Sequence, residues 1–289
     1  MKEFRKIAIL GGGLLGGSMA LALAGRREVA LWARRDASVD EARAAGITGA
    51  TGDLAKALEG AELVVLCVPV GAMAGLVEQA IEVGLNEGCL ITDVGSVKRV
   101  VHQELAMLRE RGIPFIGGHP MAGSERCGID ASRADLFDGA TCFLTDEDGV
   151  GDPEASALAG FWEDLNCRVS WIKVEEHDQL VARISHFPHL MAAATALVSL
   201  KNPDEAAFGG GGLRDTTRVA GGDPGMWAEI VMENREAIAA SVSESIEQMK
   251  ALEDALESGD QNVIHQWLER AHQWHAACQK NKESKQDPS

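Results

Sequence analysis

Apolar residues in the first half of the chain come in short runs, separated by stretches with helical spacing. The runs at Lys6–Leu10, 29–33, 63–68, 90–94, 115–117, 142–144 and 168–172 read as strands. The stretches 18–24, 97–111 and 153–165 read as helices between them, the last with Pro153 placed for a first turn. Short apolar strands alternating with helices imply a parallel sheet covered on both faces. After Val174 the period changes. Residues 177–200, 227–257 and 261–279 carry helical spacing without a strand pattern, and glycine-rich 208–213 and 221–225 read as breaks. The chain is therefore expected to hold an α/β domain over 1–174, an all-helical domain over 175–280 and a polar tail over 281–289.

The first run leads directly into Gly11-Gly12-Gly13-Leu14-Leu15-Gly16, a G-x-G-x-x-G spacing between strand and helix. Gly11 permits the tight turn, Gly13 lets backbone approach a pyrophosphate, and Gly16 lets the helix pack on the strand. The helix start at Leu14 and Leu15 offers unpaired N–H groups to phosphate. The first domain is thus expected to be a Rossmann-type dinucleotide-binding domain. A carboxylate at the end of the second strand would bind the ribose 2′-OH of NAD and repel the 2′-phosphate of NADP. Counting from the glycines offers Asp36, about 20 residues on. The strand pattern instead puts Ala33 at the tip, with Arg34 and Arg35 next. Two guanidiniums suit a phosphate better than a hydroxyl, so NADP is expected, with NAD as the alternative. The bland reading of Arg34 and Arg35 is a pair of solvated loop charges.

Charge narrows the classes. Among 289 residues, 27 Lys and Arg face 44 Asp and Glu, a net charge of −17. No basic stripe appears, which argues against a nucleic-acid reader. An anionic substrate would have to be met by a local basic pocket. The first apolar run is too short for a signal peptide, and 190–200 is about half of a membrane span, so a cytoplasmic location is expected. The cysteines at 67, 89, 127, 142, 167 and 278 form no close pair and no metal-ligand spacing. Reduced thiols are expected, with Cys67 and Cys142 buried in apolar runs.

Candidate chemistry lies where two strands end. The run at 90–94 enters Asp93-Val94-Gly95-Ser96-Val97-Lys98, and 115–117 enters Gly118-His119-Pro120-Met121-Ala122-Gly123-Ser124-Glu125. In open α/β sheets the ligand crevice lies beyond the carboxyl ends of the strands. There Ser96 can hydrogen-bond a reacting hydroxyl, and His119 can take its proton as hydride leaves. A lone histidine is more often structural. One in a loop past a strand end, among small residues, reads as catalytic.

Seven segments in order make the chain resemble the prephenate/arogenate dehydrogenases of tyrosine biosynthesis. They are GGGLLGGS at 11–18, DVGSVK at 93–98, GHPMAGSE at 118–125, HDQ at 177–179, SHFPH at 185–189, GLRDTTR at 212–218 and DPGMW at 223–227. The resemblance implies a nucleotide-binding domain followed by a helical domain through which two copies form a homodimer. It implies hydride transfer from C4 of prephenate to a nicotinamide with loss of CO2, giving 4-hydroxyphenylpyruvate. It also implies His119 as the catalytic histidine and Ser96 as the serine that positions hydroxyl and nicotinamide. Arg218 would hold a substrate carboxylate, His186 and His189 would face the substrate, and Glu125 would stand near the entrance. The alternatives within the resemblance are an arogenate dehydrogenase and a dual-specificity cyclohexadienyl dehydrogenase.

Residue chemistry supports part of this. A dianionic substrate on an acidic chain needs a fixed cation, and Arg forms a bidentate fork with carboxylate. Arg214 and Arg218 are four apart, able to share a helical face, with Asp215 available to orient one of them. The spacing of His186 and His189 also fits metal ligands, but Pro188 between them and the missing third partner argue against a metal. Trp227 reads as core packing or a helix-start anchor. A His189 imidazole can donate to the ketone of prephenate, whereas an imidazolium would repel the ammonium of arogenate, so prephenate is the expected substrate. Two rivals remain. One is another two-domain dehydrogenase that uses a lysine of the helical domain, but 175–200 contains none. The other is a noncatalytic nucleotide-binding protein, which would not need Ser96, His119 and Arg218 together.

Overall fold

The computed structural model describes residues 3–86, 88–124, 126 and 128–286, with side chains described as far as 280. Five parallel strands, β1 (Lys6–Leu10), β2 (Glu28–Trp32), β3 (Ala50–Thr51), β4 (Leu63–Leu66) and β5 (Leu90–Asp93), form one sheet. Their order is β3-β2-β1-β4-β5. Leu10 pairs with Trp32 and Leu66, and Leu66 with Asp93, so the carboxyl ends lie level along one edge. The chain turns to β2 on one side of β1 and to β4 on the other, which makes this edge the switch-point crevice of an open α/β sheet.

The continuous apolar runs have a direct cause. Ile7, Ile9, Leu63 and Val65 enter the core on one face, with Met19 and Leu23 of α1 (Leu14–Leu23). Ala8, Leu10, Val64 and Leu66 enter the other, with Met73, Leu76 and Val77 of α4 (Val70–Glu82). Both faces are covered, so Ile7–Leu10 and Leu63–Leu66 are apolar at every position. Four elements were not among those expected: α2 (Asp36–Ala44), which is largely polar, two-residue β3, the short helix at Leu54–Leu58, and α4. Short α3 (Leu54–Leu58) precedes β4, and α5 (Arg99–Glu104) and α6 (Ala106–Glu110) follow β5.

The expectation of one all-parallel sheet fails beyond α6. β6 (Gly117–Pro120), β7 (Thr141–Thr145) and β8 (Arg168–Trp171) form a second sheet, in which β6 runs antiparallel to β7. Phe115, placed by its apolar pattern inside a strand, makes only an isolated bridge to Ile91. The strand starts two residues later, because its register is set by β7 and not by local propensity. Pro153 is the N-cap of α7 (Glu154–Asp164), just outside the first turn expected for it.

From Val174 onward the described residues are helical. α8 (Val174–Val181) passes through a π-helical turn, Ala182–His186, into α9 (Phe187–Ser199). Then come α10 (Pro203–Ala206), α11 (Gly211–Thr217), a 3₁₀ turn at Arg218–Gly221, α12 (Pro224–Glu233), α13 (Arg235–Ser258) and α14 (Gln261–Gln286). Both expected glycine-rich breaks interrupt the helices, but each runs into the next one: Gly211 opens α11 and Gly225 lies in α12. The run expected at 227–257 is instead interrupted at Asn234.

Contacts divide the chain into two compact units, Met1–Ile238 and Ala239–Ser289. In the second, Trp267 Nε1 of α14 donates to Gln248 Oε1 of α13 at 3.2 Å, while Ile246, Leu256, Leu268 and Trp274 are exposed. No helix among the described residues is long and apolar enough to cross a membrane. Of the cysteines, Cys142 is buried as expected, Cys67 is only half-buried and Cys278 is exposed; all three are free, and Cys127 lies outside the described residues.

Candidate active site

The glycine loop is built by subtraction. Gly11 has φ +130°, and a Cβ there would stand 2.2 Å from the carbonyl oxygen of Cys67. A Cβ on Gly16 would stand 2.0 Å from the carbonyl oxygen of Gly11. Neither position tolerates a side chain. Gly13 differs, since nothing lies within 4 Å of its would-be Cβ and it caps α1 without a side-chain hydrogen bond. The first turn, with Leu14 and Leu15, thus presents backbone N–H groups to open space, as a pyrophosphate requires. The segment after β6 folds back onto this helix. Ser132 Oγ donates to the Leu14 carbonyl at 3.2 Å, and Arg133 N donates to Ser18 Oγ at 3.0 Å. At the tip of β2, Arg34 and Arg35 are exposed, and Asp36 opens α2.

Beside the loop, β5 ends in Asp93, whose carboxylate is fully buried and ion-paired with the equally buried Lys98. Asp93 accepts from Gly95 N at 2.7 Å and from Gly118 N at 3.1 Å. Lys98 Nζ also donates to the Gly118 carbonyl at 2.8 Å. One buried pair therefore ties the turn that carries Ser96 to the strand that carries His119. Breaking such a pair by removing one partner costs on the order of 3–5 kcal/mol.

His119 itself is not in a loop beyond a strand, as expected from its sequence. It sits within β6, opposite Phe143, and is buried. Small and unbranched Gly117-Gly118 and Pro120 hide the strand from pattern reading, yet all four positions are enclosed.

From His119 a chain of hydrogen bonds runs into α8. Its Nδ1 lies 2.9 Å from His177 Nε2, and His177 Nδ1 lies 2.8 Å from Asp178 Oδ1. The Asp178 carboxylate also accepts Lys98 N at 2.8 Å and Arg99 N at 3.0 Å, at the start of α5. A carboxylate only accepts, so His177 carries its hydrogen on Nδ1 and has a lone pair on Nε2. His119 must then donate from Nδ1, which leaves its Nε2 as a base. Burial, with His177 and Lys98 nearby, pushes the His119 pKa well below the usual histidine range, and burial lowers that of His177 as well. Burial alone would raise the Asp178 carboxyl; the His177 hydrogen bond and the two backbone N–H groups outweigh it and hold it low. Neutral imidazoles and an ionised carboxylate are the result.

A second cluster stands on the π-helical turn, α9 and α12. His189 stacks on Trp227, with centroids 3.5 Å apart and planes at 11°, and His186 meets the same indole edge-on at 6.2 Å. Trp227 is thus a helix-start residue that packs, as its sequence suggested, but the surface it packs on is the histidine pair. His186 Nε2 and His189 Nδ1 are buried and have no hydrogen-bond partner. Arg218 opens the 3₁₀ turn that packs on α9, and it is exposed. Asp215 lies 3.8 Å from Arg214, with both side chains exposed. Glu125 lies outside the described residues. No group of side chains suited to a metal ion is found among the described residues. Lys98, His177 and Asp178 had drawn attention only as parts of motifs, and Asn234 had drawn none.

Known proteins match this arrangement. Residues 19–171 match the family model for the prephenate dehydrogenase nucleotide-binding domain, and 173–270 the model for the prephenate dehydrogenase dimerization domain. The cyclohexadienyl dehydrogenase of Zymomonas mobilis is 33% identical over 275 residues, covering 91% of this chain and 92% of the relative. The prephenate dehydrogenase of Bacillus subtilis is 31% identical, covering 94% of this chain and 76% of the relative. The crystal structure of Aquifex aeolicus prephenate dehydrogenase with hydroxyphenyl propionate and NAD+ aligns with a TM-score of 0.84 at 26% identity, over 96% of this chain and 99% of that one.

Proposed function

Since the chain belongs to the prephenate dehydrogenase family, we propose that it oxidatively decarboxylates prephenate to 4-hydroxyphenylpyruvate. The observation that carries the reading is His119, a buried neutral imidazole whose basic Nε2 is fixed by His177 and Asp178. Gly11, Gly13, Leu14, Leu15 and Gly16 hold the dinucleotide through backbone. The nicotinamide, when bound, supplies the hydride acceptor. The protein's own work is to orient the substrate and move one proton. Ser96 positions the C4 hydroxyl, and His119 Nε2 takes its proton as hydride leaves C4. The C–C bond to the ring carboxylate breaks to release CO2, its electron pair completes the aromatic ring, and the 4-oxygen then takes a proton back from His119 to become the hydroxyl of the product. The imidazolium formed on His119 is stabilised through Nδ1–H, His177 and the Asp178 carboxylate, the logic of a base held by an oriented partner.

Arg218 supplies the fork for a substrate carboxylate, His186 and His189 face the rest of the molecule, and Glu125 lies near the entrance. Arg34 and Arg35 support a preference for NADP over NAD. The nucleotide-binding part is assigned to 1–174 and the substrate and dimerisation part to 175–280, with a homodimer in the cytoplasm as the working form. Exposed apolar residues of α13 and α14 support the dimer. Dual use of prephenate and arogenate is the second reading, favoured by the identity to a cyclohexadienyl dehydrogenase. Nicotinamide reduction at 340 nm, crossing both substrates with both nucleotides, tests all of this. Prephenate with NADP should be fastest, and no reduction in any of the four mixtures would refute the enzyme.

A further inference from the structure

Asn234 separates α12 from α13 and is 2% exposed, an unusual place for an asparagine at a helix junction. Its Nδ2 donates to the backbone carbonyl of Asp178 at 2.8 Å and lies 3.1 Å from Nδ1 of His186. The first contact fixes which way the amide faces, because a carbonyl can only accept. The remaining hydrogen of the amide nitrogen then points to His186, whose Nδ1 must be the acceptor. A neutral imidazole that accepts at Nδ1 carries its hydrogen at Nε2. In His186 that Nε2 is buried with no partner. Native folds rarely leave a buried donor unpaired, and such a group calls for a reason.

We infer that Asn234 is a positioning residue that locks His186 in its Nε2–H form, reserving a buried hydrogen-bond donor for a carboxylate or keto oxygen of the substrate. The identity of that oxygen rests on the dehydrogenase reading; the locked tautomer does not. Burial, more than any neighbour, lowers the His186 pKa to about 4, so the donor stays neutral at working pH. Asp178 thereby governs two histidines of opposite sense. Its side chain, through His177, leaves His119 with a lone pair, while its backbone carbonyl, through Asn234, leaves His186 with a hydrogen. The base and the donor cannot exchange roles without breaking one of these contacts.

Nitrogen NMR of the full chain labelled with ¹⁵N-histidine reads the tautomer directly, with His186 identified by the signals lost in His186→Gln. A neutral ring protonated at Nε2 is expected, and addition of 4-hydroxyphenylpyruvate should move its Hε2 downfield. A ring protonated at Nδ1, a mixture of both forms, or an Hε2 that ignores the ligand overturns the assignment. This spectrum does not depend on turnover, so it can fail while the enzyme reading stands, and the reverse. A kinetic cycle adds a second check. Asn234→Leu should raise the prephenate KM about tenfold with kcat little changed, the loss of one hydrogen bond to a charged group. Placed in the His186→Gln background, where an amide offers a donor that has no tautomer to fix, the same substitution should cost less than twofold. Equal penalties in the two backgrounds would mark Asn234 as merely structural and sink the proposal.

Discussion

The glycine loop and the histidine cluster prepare for their ligands by opposite means. The loop offers backbone groups and clears side chains away, so that Gly11 and Gly16 are crowded by carbonyls and Gly13 faces open space. The cluster does the reverse. It fills the space with imidazoles, an indole and an amide, and fixes the hydrogens of His119, His177 and His186 through neighbours. One site is intolerant of volume and indifferent to protonation; the other is defined by where its protons sit. Substitutions should therefore damage the two in recognisably different ways.

The sharpest break is His119→Asn. Removing the base should lower kcat by about 10²–10⁴ while the prephenate KM changes little, and a variant with near-native kcat in steady-state assays would place the base elsewhere. Arg218→Ala should leave the nucleotide KM alone and raise that of prephenate by roughly 10- to 100-fold, as expected for a lost charge-assisted contact. A penalty on nucleotide binding would move Arg218 to the other side of the comparison. The loop is probed by a pair of alanines. Gly11→Ala meets the Cys67 carbonyl and should cost about 1–3 kcal/mol of stability in denaturant titration. Gly13→Ala should unfold normally and instead raise the nucleotide KM, about tenfold for a pyrophosphate held off by one methyl. If both variants merely unfold, the loop is steric scaffolding and nothing more.

Acid should separate the regions as well. His119, His177 and His186 have depressed pKa values in the folded state, so the unfolded chain binds protons more readily than the native one. Their stabilising contribution is complete above the ordinary histidine pKa of about 6.5 and is lost as pH falls below it. Thermal unfolding at pH 5 should thus lie on the order of 5 °C or more below that at pH 7.5, and substituting His186 by Gln should flatten the dependence. A Tm that holds constant over this interval would mean that these rings take up protons in the fold as readily as in the unfolded chain. The smallest effect concerns the ribose. Replacing Arg34 and Arg35 together by Ala should reduce an NADP preference several-fold, each exposed contact being worth about 1 kcal/mol or less. A native enzyme that favours NAD tenfold would point to Asp36 instead.

The same contrast explains what could be foreseen from sequence. The glycine loop is local: strand, turn and helix start fall within a dozen residues, and their spacing is their chemistry. Ser96 was legible for a like reason, one turn beyond an apolar strand. His119 was legible as a candidate but misplaced, because Gly117, Gly118 and Pro120 carry no strand pattern and the partner strand sets the register. The proton-fixing contacts were not legible at all. His119 meets His177 across 58 positions and Lys98 meets Asp178 across 80, beyond the reach of any periodicity. Asn234 looked like one more polar position in a helix. Only the break between α12 and α13 turns it inward.

The wide turn at Ala182–His186 bears on how such a cluster is inherited. On an unbroken α-helix, at about 100° per residue, His177 and His189 would point roughly 120° apart. A π-helical turn absorbs one additional residue, which brings that separation down to about 20° and turns both rings toward one side. The alignment is thus a property of chain length between the two histidines, and no choice of side chain in 182–186 can replace it. Loss of one codon there would rotate every group downstream out of step with His177, and only the gain of another codon nearby would restore the phase. Along this stretch the gene's spacing, more than its spelling, carries the site.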